Sequence, residues 1–300
     1  MNSGRTVTIV FDTELGWGSI ENGRLAQRER DGVFDRARAC LPRLVDEFAR
    51  LSIPATWAVV GALAVRDPRD RLDHLPSARV AELHRALAEA RRESLAWPDL
   101  LPTLRGIPQM EIACHGFSHT RFDYPGLSAG AVAREIALWR DAADVGVEPI
   151  SMVCPRDTIA FLDELGGAGV EVLRLPPGFA GPRPALHRHL RWPSPSRVVQ
   201  LPGTGARPAD TRSGPTGVEG TLFFRGGTAL PGRGRLLYSR IRTRHATARH
   251  DRTVLWLHPF NFGESDGLLP AFMRLLARLA RERDRGRVRF ETLNSVAEAP

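Results

Sequence analysis

The stretch QMEIACHGFSH, residues 109–119, runs a short apolar segment of β character straight into His115 and His119, two histidines four positions apart. A strand that ends in such side chains is how a parallel α/β barrel builds a site, because its functional groups collect at the carboxyl ends of strands. Taken alone, the pair is weak evidence for a metal, and two imidazoles bonded to backbone are the favoured reading. The rest of the chain has to decide.

On either side the same beat repeats. TVTIVF (6–11), ATWAVV (55–60), ISMVC (150–154), VEVLRL (170–175), TVLWLH (253–258) and VRFETL (288–293) are β-rich runs. Helix-period segments lie between and around them at 34–51, 78–92, 128–143, 157–166, 235–250 and 268–283. This alternation predicts parallel strands joined by crossover helices. Pro42 predicts a local kink in the first helix. Residues 176–232 break the rhythm with prolines and glycines, and are expected to be a loop-rich insertion with one or two short strands. With no internal repeat and no linker, residues 1–300 read as one domain.

Three hundred residues fit a single α/β barrel. A hydrophobic fraction of 42% and a charged fraction of 25% are those of a globular chain with a solvated surface. All 42 basic residues are arginines and the net charge is +8. Most of these arginines read as solvated helix faces, notably at 233–252. The functional alternative is contact with a lipid-linked or phosphate-bearing substrate, because guanidinium pairs bidentately with phosphate. No nucleic-acid-binding motif is present. Cys40, Cys114 and Cys154 form an odd set without a CxxC pair, which argues against a disulfide framework. Asp12 and Glu14 interrupt the only N-terminal apolar run, so no signal peptide is read, and a cytoplasmic location is expected. The longest apolar stretch, ATWAVVGALAV (55–65), is too short to span a bilayer.

Four expected strand ends carry groups suited to hydrolysis: Asp12 and Glu14, then His115 and His119, then Pro155, Arg156 and Asp157, then His258 before Pro259. Each has a bland reading, as a loop acid or a satisfied histidine. Their coincidence at strand ends favours a site. Two imidazoles and a carboxylate are a common catalytic zinc set with positions left open, and a second carboxylate and a further histidine beside it suit a base and an acid.

The same blocks, TIVFDTE, IPATWAVVG, EIACHGFSH and LWLHPFNF, resemble in that order those of the polysaccharide deacetylase family. The resemblance covers 6–175 and 253–293. It implies a distorted (β/α)7 barrel and a hydrolase that uses a divalent metal, zinc first among candidates, to remove acetyl groups from N-acetylated sugars. On these positions it implies Asp12 as catalytic base, Glu14, His115 and His119 as metal ligands, and His258 as general acid. Many members carry two adjacent aspartates; here Thr13 takes the second position, and the acid-x-acid pattern of DTE makes Glu14 the ligand. The family's arginine before a proline becomes Arg156 after Pro155, assigned to orient Asp12. The expected oxyanion donors are backbone N–H groups of the GFS or CPR turns. Trp192 is the positional candidate for the acetyl pocket, and Trp17 and Trp97 are weighed between a sugar groove and the core. Cys114 and Cys154 read as buried side chains flanking the site. The implied partner is an N-acetylated sugar, glycan or glycoconjugate. Hydrolysis of a cyclic amide on the same scaffold, and an inactive glycan-binding barrel, are the alternatives.

Overall fold

The computed structural model describes residues 4–144, 150–179, 196–201, 214–224 and 232–297. Its strands are β1 (Arg5–Thr13), β2 (Ala55–Val59), β3 (Met110–Cys114), β4 (Ile150–Val153), β5 (Val170–Leu175), β6 (Val198–Gln200), β7 (Thr216–Glu219), β8 (Leu222–Phe223), β9 (Arg252–Leu257) and β10 (Val288–Phe290). β1 to β5 pair in sequence order and all in parallel, and β9 pairs in parallel with the other side of β1.

The ring closes through a run that changes partner part-way. β7 pairs in parallel with β5, and three residues later β8 pairs in parallel with β9. Between them the N–H of Gly220 donates to the Leu175 carbonyl and that of Thr221 to the Val254 carbonyl. Residues 216–223 therefore act as one split strand, and the barrel is the expected distorted (β/α)7 type. β6 lies antiparallel on the outer edge of β7. Within 176–232, where one or two short strands were expected, the described residues contain three, and two of them together form a barrel strand.

Side chains alternate between two cores. Outward, Phe11 stacks on Trp57 at 4.2 Å and meets the edge of Phe48, from the helix Val33–Leu51, at 5.7 Å. That helix runs through Pro42 without interruption. Inward, each of the seven barrel strands contributes one small apolar residue to a shared layer: Val10, Ala58, Ala113, Val153, Val172, Val218 and Val254. Leu293 and Val296, from the C-terminal turn, join this layer and plug the amino end of the barrel.

Two differences from the sequence expectation have local causes. The helix expected at 157–166 begins only at Leu162, because Arg156, Asp157 and Phe161 all take left-handed backbone angles. The last strand stops at Phe290 because Glu111, inside the barrel, accepts the N–H groups of Leu293 (2.8 Å) and Asn294 (3.3 Å) and turns the chain inward. Among the described residues no helix is long and apolar enough to cross a membrane.

Candidate metal centre and active site

Strand periodicity places the site. Two residues beyond the apolar layer, on the same inner faces, stand Asp12 on β1, His115 after β3, Arg174 on β5 and Trp256 on β9. His258 follows two residues later. Glu14 and His119 come in from the turns that leave β1 and β3.

Glu14 reaches inward by lying across the helical turn Trp17–Ile20. A Cβ on Gly18 would fall 1.9 Å from its Oε1, so this approach requires glycine. Glu14 Oε2 lies 2.6 Å from His119 Nε2 and 3.4 Å from His115 Nε2. Ligand atoms of these three buried residues all lie within 4.8 Å of one another. His115 Nδ1 is 2.7 Å from the Val153 carbonyl, an acceptor that takes the Nδ1–H and leaves Nε2 facing Glu14. His119 is buried with no aligned hydrogen-bond partner on either ring nitrogen, despite its short approach to Glu14.

The charges fit a cation. Burial opposes ionisation of Glu14, but the fields of His119 and His258 and the hydrogen bond with His115 more than offset it and hold the carboxyl well below its usual range. Burial pushes His119 towards its neutral, ligand form. For His115 burial acts the same way, yet the hydrogen bond with Glu14 and the charges of Asp12 and Glu14 raise it. A carboxylate and two imidazoles with an orphaned buried nitrogen suit a divalent transition metal.

Asp12 is almost fully buried. Its Oδ2 lies 3.0 Å from Arg174 Nη2, while its Oδ1 has no hydrogen bond. Arg174 also holds Asp157 at 2.7 Å and lies 4.3 Å above the Trp256 ring. Burial disfavours its charge, but Asp12 and Asp157 raise its pKa overall. His258 Nε2 stands 3.9 Å from Asp12 and 3.5 Å from Glu14, with its ring stacked on Phe260 at 4.9 Å. These groups line a cavity of about 190 Å³, with Cys154, Arg156 and Trp256 completing its wall.

Several expected roles change. The guanidinium set against Asp12 is that of Arg174, not Arg156. Arg156 also lines the cavity, but its left-handed backbone (φ 58°) directs the side chain to the Gly18 carbonyl at 2.6 Å and towards Glu21 at 3.6 Å. The N–H groups of Phe117 and Ser118, in the GFS turn, do not face the cavity as oxyanion donors; both donate to Glu135 at 2.9 Å. Trp17 and Trp97 are core residues, and the Trp17 indole donates to the Leu95 carbonyl. Burial raises the thiols of Cys114 and Cys154 far above the reactive range. Trp192 lies outside the described residues.

No protein-family model and no curated protein matches the chain. Solved structures do. A Mycobacterium smegmatis protein described as a polysaccharide deacetylase superposes with a TM-score of 0.57 at 16% identity, covering 99% of this chain and 91% of that one. A Pseudomonas aeruginosa protein described in the same terms gives 0.53 at 12% identity, over 98% and 89%. An allantoinase gives 0.56 at 12% identity, over 99% and 90%. At these identities the likeness establishes a shared fold.

Proposed function

We propose that the chain is a metal-dependent amide hydrolase that removes N-acetyl groups from a sugar or glycan precursor. The observation that carries this reading is the convergence of Glu14, His115 and His119 within 4.8 Å of one another, with Glu14 and His115 opening beside Asp12 and His258 onto one small cavity. The deacetylase descriptions of two proteins of this fold support it.

Glu14, His115 and His119 would hold the cation. A divalent ion in such a set, zinc by ligand preference, supplies Lewis acidity towards a carbonyl and makes water more acidic. Asp12 is the base. Arg174 fixes one carboxylate oxygen, leaving Oδ1 to take the proton of the attacking water. His258 delivers a proton to the departing nitrogen, which an amide needs because its amine leaves poorly. Trp256 and Cys154 offer the acyl group an apolar wall. With Phe117 and Ser118 engaged by Glu135, the CPR turn is the remaining one of the two expected sources of an oxyanion donor, through the Arg156 N–H, because Pro155 has none and that of Asp157 donates to the Cys154 carbonyl.

A second substrate class has its own support in the allantoinase likeness: ring opening of a cyclic ureide by the same groups. Acetate release from N-acetylglucosamine oligomers and conjugates, assayed beside allantoin, separates the two. The expected result is acetate release that a chelator abolishes and added zinc restores. Allantoin turnover without acetate release would move the substrate to the second class. A metal-loaded protein inert on both would be a binding barrel.

A further inference from the structure

Helical periodicity places a charge where an apolar side chain belongs. On the helix Ala129–Ala143 the buried stripe contains Val132, Ile136 and Trp139, and Glu135 lies on it with no exposed surface. Its carboxylate is fully engaged. Oε2 accepts the N–H groups of Phe117 and Ser118, each at 2.9 Å, and Oε1 lies 2.9 Å from His74 Nε2. Phe117 and Ser118 belong to the three-residue turn between His115 and His119. The turn starts at Gly116, whose φ is 72° and where a Cβ would stand 3.2 Å from Oε2. Successive N–H groups aimed at one point form an anion nest; here the chain's own carboxylate occupies it.

We propose that Glu135, braced by His74, is a positioning residue that holds His115 and His119 in register as a ligand pair. The proposal rests on reading Glu14, His115 and His119 as metal ligands. Without the clamp, the turn has two unpaired buried N–H groups and more conformations, and metal binding must order the imidazoles itself. Outer partners that orient ligands are typically worth 10–100-fold in metal affinity.

The test is zinc affinity by chelator competition, with thermal unfolding of the metal-free and zinc-loaded protein. Glu135→Ala is expected to weaken zinc binding roughly 10–100-fold and to shrink the rise in Tm that zinc produces. Glu135→Asp stops one methylene short of the turn and should weaken binding in the same direction with a smaller cost to folding; it carries the test if the alanine variant does not fold. Glu135→Gln should restore near wild-type affinity, because one amide oxygen can accept both N–H groups. Wild-type affinity in both the Ala and Asp variants would overturn the proposal. So would an equal loss of Tm with and without zinc, the mark of a merely structural residue. His115→Ala is the separate control: if it binds zinc as tightly as the wild type, the metal reading itself fails.

Discussion

The two ends of the barrel lumen are built from the same seven strands with the same alternation, and they do opposite things. Two residues above the apolar layer lie Asp12, His115 and Arg174; two residues below it lie Thr8, Thr56, Glu111 and Ser151. Both ends are therefore polar by register alone. At the lower end Glu111 has both oxygens taken, by the hydroxyls of Thr56 and Ser151 and the N–H groups of the plug. At the upper end Asp12 Oδ1, His119 Nδ1 and His258 Nδ1 are buried without partners, whereas among the four lower-end residues the one such atom is the uncharged hydroxyl of Thr8. The difference teaches where to look for chemistry: not where charge is buried, but where it is buried and left incomplete.

The largest expected effect tests that distinction directly. Asp12→Asn should keep its bound metal and lose on the order of 10²–10⁴ in turnover, the usual scale for a general base. Glu111→Gln, at the other end, should leave turnover close to wild type. Assays of deacetylation with metal analysis would check both. Comparable losses at the two ends would break the comparison.

Next is Arg174→Met. Arg174 and Asp12 have side chains only 2% and 3% exposed. Removing the cation leaves Asp12 buried and uncompensated, which typically costs about 3–5 kcal/mol. Urea unfolding should show that loss, together with reduced turnover. Full stability would mean that Asp12 does not depend on Arg174.

At the plug the expectation is stability without chemistry. Leu293→Ala removes a fully buried side chain from the lumen and should cost about 2–5 kcal/mol. Turnover of the folded fraction should stay unchanged. A specific loss of activity would show that the lower end communicates with the upper.

Asp12, Glu14, His115, His119 and His258 were legible in the sequence because each follows an apolar β run, where strand ends are visible as changes of residue type. Arg174 was not. Inside VEVLRL it reads as a polar position facing solvent, and its inward direction depends on pairing with β4, whose register shifts between Ile150 and Ser151. Arg156 stood in for it because it adjoins Pro155, but a left-handed backbone turns it away. The closing strand at 216–223 was hidden for a different reason: TGVEGTLF has two glycines and changes partner midway, so no long alternation marks it. Glu135 did leave a signal, a carboxylate on the apolar stripe of a helix.

The smallest effect is a pair of pH slopes with opposite signs, read in the metal-free protein. Glu14 is held below its usual pKa, so its favourable contribution is present above the unfolded carboxyl value, about 4.3, and is lost as pH falls from there towards the folded value. Glu111 is raised, first by burial, against the hydrogen bonds from Ser151 and Thr56. Its folded form holds the proton more tightly, so its contribution is full below the unfolded value and is lost as pH rises through the folded one. Stability of wild type relative to Glu14→Gln should therefore increase with pH on the acid side. Relative to Glu111→Gln it should decrease over a window beginning near the same pH. Neither slope can exceed about 1.4 kcal/mol per pH unit, the limit for one proton. Urea melts in steps from pH 3 to 7 would read both. Slopes of the same sign would mean that the two carboxylates share one electrostatic environment and that the ends of the lumen differ only in shape.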